Sequence, residues 1–343
     1  MNKILTLLLF PLIGPGAVQA QPDTTAKLVE YRRLWNHAPH SAFTDLTRFR
    51  GKWYCAFREG SGHVSPDGTI QILWTDNGHW WEPAARLKMD GLDLRDPKIS
   101  VTPDGKHLFV VAAAAKREGG AAATMTQTII ARSTDGWDWE KVSVIGAPNY
   151  WLWRVSWHKD TAYGVAYAVG PQVTASGDHH SMLFSSRDGS EFEVAIPDFQ
   201  SSRSPRPTEA TLRFDKAGNM ICLHRRDGGD KPSALLGFSQ PPYQEWEWKD
   251  LGVFFGGPNF IQIPSGKWIA CGRMKNVGPE KETKTVVCEV ELDAGELTPL
   301  LILPSGGDSS YPGLHWHDGL LWITYHSSHE GKTSIYLAKA RIN

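Results

Sequence analysis

Six short turn segments flanked by β-like runs recur along the 343-residue chain. They are FRGKWY around Gly51, PDGKHLFVV around Gly105, HKDTAYGV around Asp160, KAGNMICL around Gly218, PSGKWIAC around Gly266 and HDGLLWIT around Gly319. Successive turns lie 54, 55, 58, 48 and 53 residues apart. Each joins a short strand to a second strand rich in Val, Ile, Trp, Tyr and Ala, residues that mostly suit a half-buried pleated surface. Gly, Asp and Asn at the turns are what tight hairpin connections require. Repetition at this period predicts an all-β fold, a six-bladed β-propeller of four-stranded antiparallel blades. The alternative is a β-sandwich with accidental spacing.

A second signal shares the period. DNGHWW (Asp76 to Trp81), STDGWDW (Ser133 to Trp139) and SRDGSEF (Ser186 to Phe192) each follow an apolar strand. The aspartate accepts turn amides, the glycine allows a positive φ, and the aromatic ring packs between neighbouring sheets. These turns resemble the Asp-boxes of the sialidase and BNR-repeat proteins. The first keeps a D-x-G-x-x-W core with Trp74 where serine is usual, and the other two are one residue shorter. The resemblance covers roughly residues 35–343 and implies a sialidase-like propeller; Asp-boxes by themselves imply no activity.

Composition sets the outer bounds. With 41% hydrophobic and 21% charged residues the chain has material for a sizeable core and is not of disordered type. Its net charge of −1 provides no global attraction to nucleic acid. The first twenty residues have a basic start, a short apolar run broken by Pro and Gly, and the small-residue end VQA. That pattern predicts a signal peptide cleaved near Ala20, a secreted or periplasmic protein and one propeller domain over residues 21–343. No segment reaches membrane-spanning length, so no membrane insertion is expected, and a monomer is expected. Cys55, Cys222, Cys271 and Cys288 show no CxxC spacing, so a zinc site is not expected. Cys271 and Cys288 are spaced to face each other across a hairpin, but buried free thiols are the preferred reading.

In a propeller, first strands begin and second strands end at one face near the axis. The first-strand starts bring Asp45, Asp93, Arg95 and Asp96, Trp153 and Arg154, Arg206 and Glu209, Asn259, and Tyr311. The second-strand ends bring Arg58, Glu59 and His63, Lys116 and Arg117, Tyr167, Arg225 to Asp227, Arg273 and Lys275, and His326 and His329. Strand middles stay apolar, so this collection predicts a polar funnel that binds a ligand. Glu209 and Arg225 lie on paired strands of one hairpin and are expected to face the same pocket. A plain structural salt bridge is the other reading of that pair.

Here the sialidase resemblance reaches functional residues. That family holds its substrate's carboxylate with three arginines and uses a tyrosine nucleophile assisted by a glutamate, with an aspartate as acid/base. Glu209, Arg225, Arg273 and Tyr311 match in order and blade. A neutral phenol suits a sugar whose anomeric carbon bears a carboxylate, because it avoids charge repulsion, and arginine forks suit that carboxylate. The first-blade F-R-I-P motif is replaced by AFTDL, and Arg58 is the candidate substitute for its arginine. Asp96 and Asp45 are candidate acids. His63, Arg95, Arg226, Asn259 and Trp153 are further candidates for substrate contact. The expected function is exo-acting hydrolysis of an acidic glycoside, of sialic or a related ulosonic or uronic acid, with no metal or organic cofactor. The alternatives are a polysaccharide lyase acting on uronates and a non-catalytic glycan-binding propeller.

Overall fold

The computed structural model describes residues 26–118, 122–170, 173, 179–200 and 205–343. The expected signal peptide lies outside the described residues. Six four-stranded sheets form as the sixfold repeat predicts. Five blades are continuous in sequence. The first contains β2 (His40–Phe49), β3 (Lys52–Gly60), β4 (Thr69–Thr75) and β5 (Glu82–Leu87), and the second β6 (Asp93–Val101), β7 (Leu108–Lys116), β8 (Met125–Ser133) and β9 (Ser143–Ile145). The third contains β10 (Tyr150–His158), β11 (Thr161–Ala168), β12 (Ser181–Ser186) and β13 (Glu193–Gln200). The fourth contains β14 (Pro207–Phe214), β15 (Met220–Arg226), β16 (Leu235–Ser239) and β17 (Glu247–Asp250). The fifth contains β18 (Gly256–Gln262), β19 (Trp268–Val277), β20 (Glu282–Glu291) and β21 (Glu296–Ile302).

The sixth blade joins the two ends of the chain. Its β22 (Ser309–His317), β23 (Leu320–Ser327) and β24 (Ser334–Ile342) are completed by β1 (Ala26–Trp35), which pairs antiparallel with β24. Inner strands contact their neighbours all round the ring: β2 with β6, β6 with β10, and onward through β14 and β18 to β22, which meets β2. Closure in this way leaves only short outer edges. Separate apolar clusters fill the spaces between adjacent sheets, such as Ile70, Ile72, Leu94 and Val110 between the first two blades.

The three aromatic turns share one pattern of bonds. Asp135 Oδ1 accepts the amides of Trp137 and Asp138, Ser133 Oγ accepts that of Gly136, and Trp139 Nε1 donates to the Gly136 carbonyl. Asp188 and Ser186 repeat the first two features. In the first turn the amides of His79 and Trp80 bond Asn77 Oδ1, with Thr75 supplying the hydroxyl, so Asn77 rather than Asp76 is the acceptor. Read from Thr75, this turn has the same length as the other two.

All six inner strands carry a bulge at the same place. The register shifts fall between Ala42 and Asp45, Arg95 and Lys98, Leu152 and Val155, Pro207 and Ala210, Gly256 and Asn259, and Ser310 and Gly313. Three bulges contain Pro97, Pro258 or Pro312, which have no N–H to contribute to a ladder. Four place a residue at positive φ: Phe43 (62°), Asp96 (53°), Gly257 (59°) and Tyr311 (54°). A bulge re-aims one side chain per blade. It also releases carbonyls from the sheet, and the adjacent blade satisfies them. Thr44 Oγ1 donates to Tyr311 O at 2.8 Å, Thr211 Oγ1 to Pro258 O at 2.7 Å, and Asn259 Nδ2 to Pro312 O at 3.0 Å.

Candidate functional site

The bulge ring fixes what reaches the mouth. Tyr311 is turned by its positive φ onto Glu209 and donates its phenol proton to Glu209 Oε1. The second oxygen of Glu209 accepts Arg225 Nη1 at 2.7 Å and the Gly257 amide at 2.9 Å. Arg225 Nη1 also reaches Tyr311 Oη at 3.1 Å, while its Nε is held by Asp227 at 2.8 Å. The Arg273 guanidinium stands 5.7 Å from the Tyr311 ring centroid. Four residues from blades four, five and six thus converge as the sequence predicts. A Cβ on Gly257 would lie 2.9 Å from the Tyr311 ring, so the bulge glycine leaves room for the phenol.

Electrostatics separates the acids. Burial raises the pKa of Glu209, but Arg225, the Tyr311 hydrogen bond and Arg273 outweigh it and hold the carboxyl below its usual value. Burial, with the Glu209 charge, drives the Tyr311 phenol well above its usual range despite Arg225 and Arg273. Asp96 behaves oppositely to Glu209. Burial raises its pKa, Arg95 and Lys98 offset this in part, and the Glu209 charge adds to the rise. The Trp153 indole N–H also favours the ionised form, without reaching a well-formed bond: Asp96 Oδ1 and Trp153 Nε1 have no hydrogen-bond partner among the described residues. Trp153 is fully buried with its ring edge-on to Tyr311 at 6.1 Å. Asp96 and Trp153 therefore join the site, and burial pushes the nearby Lys98 ammonium down to about 8.

Other expected residues are diverted. Arg58 is 0% exposed; its Nε bonds Asp93 at 2.8 Å and its Nη atoms bond Gly62 O and Ser65. It does not replace the missing carboxylate arginine, because a buried aspartate beside it takes its charge. Asp45 accepts the Ile99 amide at 2.9 Å and Arg154 Nη1 at 2.8 Å, and stitches blade one to blades two and three. It lines, with Arg154, Arg213 and Asn259, a separate channel cavity of about 520 Å³. Asn259 accepts Arg213 and donates to Pro312, so it too serves the ring rather than the mouth. Arg226 follows Arg225 on one strand and points to the other face, where it bonds Ser233 and Asp250. Arg95 stays at the mouth, against Phe43 and 3.7 Å from Asp96.

His63 sits at the rim in a cluster the sequence did not reveal. Its Nδ1 lies 2.8 Å and His40 Nε2 2.7 Å from the same oxygen of Asp308, and His326 Nε2 lies 3.3 Å from the other. His326 Nδ1 accepts the Phe43 amide, which puts the ring proton on Nε2, facing Asp308. Burial pushes His326 down to about 4, and Asp308 recovers only part of that shift. The donor atoms of His40, His63 and Asp308 lie within 4.8 Å of one another, near enough to hold a cation. The present separations are those of hydrogen bonds. The four cysteines are buried and free.

The fold is shared with known glycosidases. A protein of unknown function from Dyadobacter fermentans superposes with a TM-score of 0.76 at 16% identity, covering 93% of this chain and all of its own. The alpha-L-arabinofuranosidase of Fusarium graminearum, solved with arabinobiose, gives 0.72 at 13%, covering 92% and 98%. The Trypanosoma rangeli sialidase, solved with sialic acid, gives 0.65 at 10%, covering 92% of this chain and 59% of the sialidase. No family profile matches the chain, and no curated protein matches it by sequence. The class defined by these likenesses is the six-bladed, sialidase-like propeller in which glycoside hydrolases occur.

Proposed function

We propose that this protein is an exo-acting glycoside hydrolase whose substrate is an acidic sugar. The observation that carries the reading is the Tyr311–Glu209 hydrogen bond, with Arg225 touching both groups and Arg273 above the phenol. A phenol alone is too weak an acid to serve as nucleophile at neutral pH, and an ionised carboxylate on its proton remedies that. In the first step Tyr311 Oη bonds to the anomeric carbon and its proton passes to Glu209. The glycosidic C–O bond breaks, and Asp96 gives its proton to the leaving oxygen. Its raised pKa suits it to that role. In the second step water attacks the anomeric carbon and loses a proton to Asp96, while Tyr311 departs and recovers its proton. Arg273 and the outer edge of Arg225 hold the substrate carboxylate.

Neutral furanosides are the second reading. Arg58 is tied to Asp93, and Arg225 already serves two protein carboxylates, so the clamp has two arginines rather than three. In that case Glu209 attacks and Tyr311 holds it in place. A screen of acidic and neutral aryl glycosides, followed by trapping with an activated fluoro-glycoside of the best substrate, separates the two. A label on Tyr311 supports the acidic-sugar mechanism, and a label on Glu209 overturns it. An unsaturated sugar product overturns hydrolysis in favour of elimination. We also infer export through the N-terminal segment; recovery of protein beginning at Gln21 from outside the cytoplasm tests it.

A further inference from the structure

A second cavity, of about 760 Å³, opens beside the mouth and is lined by Arg95, Arg117, Thr126, Trp151 and Val169 among others. Arg95 is more than nine-tenths buried, yet its Nε has no hydrogen-bond partner among the described residues. It meets Asp93 at 3.5 Å and Asp96 at 3.7 Å, separations at which charges attract without a formed bond. Asp93 cannot serve it better, because Arg58 and Arg117 already occupy both oxygens at 2.8 and 3.0 Å. Arg95 is thereby left with two long contacts. A buried donor left without an acceptor is costly, and the unmatched donor is Arg95 Nε.

The cavity also has an aromatic wall. Trp151 stacks on Tyr167 with centroids 5.7 Å apart and planes 18° from parallel, and its indole N–H has no hydrogen-bond partner among the described residues. Its ring centroid lies 6.0 Å from the Arg95 guanidinium. A rigid ring face beside an unsatisfied guanidinium is an arrangement for a sugar that carries an anion. Arg95 and Asp96 are adjacent at the bulge; Arg95 lines this cavity, while the Asp96 charge is felt at Tyr311. A group bonded through an oxygen that Asp96 protonates must extend away from Tyr311, toward Arg95.

We propose that this cavity is the subsite for the leaving part of the substrate, and that it takes a sugar with a carboxylate or sulfate substituent, bound by Arg95 with its ring against Trp151. The proposal rests on the reading of Asp96 as the proton donor. Titration calorimetry of the full chain with sodium D-glucuronate, D-galactose 6-sulfate, D-glucose and D-galactose tests it. At least one anionic probe binds, and Arg95→Gln weakens it about tenfold or more. The probe that shows this dependence tells carboxylate from sulfate. Trp151→Leu weakens the same probe and serves if Arg95→Gln fails to fold. Absence of anionic binding overturns the proposal, as does binding indifferent to both Arg95 and Trp151. Loss in Arg225→Gln alone places the anion against Tyr311 and overturns this subsite while sparing the hydrolase reading. Binding that depends on Arg95 in a protein without turnover upholds the anion site but overturns both the hydrolase and the leaving-group role of the cavity.

Discussion

The mouth has two halves that use arginine in opposite ways. In blades four to six, Arg225 and Arg273 end second strands and lie around Tyr311 and Glu209. In blades one and two, Arg58 and Arg117 occupy the equivalent strand ends but bond Asp93, the first residue of β6. The sequence pattern is the same on both sides. Both sets meet protein carboxylates, but Arg58 and Asp93 are fully buried and spend their charges on the protein, whereas Arg225, paired with Glu209 and Asp227, stays partly exposed at the mouth. An arginine at this mouth is thus available to a ligand only where pairing with a protein acid leaves part of its side chain exposed.

Disabling the reactive half gives the largest effect. Glu209→Gln and Tyr311→Phe each lower kcat by about 10²–10⁴-fold, and the double variant loses little more, because the pair acts as a unit. Full activity in either variant removes the distinction between the halves. In the other half Arg58→Met costs about 3–5 kcal/mol in urea denaturation, the price of leaving Asp93 short of a partner. Its kcat per folded molecule stays near that of the parent; a stable but inactive Arg58→Met places Arg58 with the substrate after all. Arg273→Gln raises KM for an acidic glycoside by about tenfold and leaves a neutral one nearly unchanged. Equal losses on both sharpen the case for a neutral sugar.

The smallest effect concerns Asp96, at the boundary. Burial raises its folded pKa, so the native state binds the proton more tightly than the unfolded chain. Stability therefore falls as pH climbs from the ordinary carboxyl value through the raised one. Asp96→Asn removes that fall and modestly raises the unfolding midpoint at neutral pH, while lowering activity. A variant less stable than the parent at neutral pH contradicts the assignment of a raised pKa.

Much of the site could be read from strand position. Glu209 and Arg225 bracket one hairpin, and Tyr311 opens a first strand, so blade counting brings them together. Asp96-Pro97, Gly257-Pro258 and Tyr311-Pro312 also carried a signal for the shared bulge: a proline just inside a strand start is a bulge marker. That marker separates Asp96, at a bulge apex, from Asp45, two residues past the equivalent point. Arg226 was separable by strand alternation. The cluster of His40, His63, His326 and Asp308 joins strands and loops far apart in the chain, and no spacing announces it.

What the sequence determined alone is the ring: the hairpin period and the turn residues dictate six sheets, since each needs a neighbour on either side to bury its faces. The tertiary structure decided which charges remain available to a ligand. Ion pairing across blades depends on distances of a few ångströms between residues dozens of positions apart, and Asp93 beside Arg58 is such a distance.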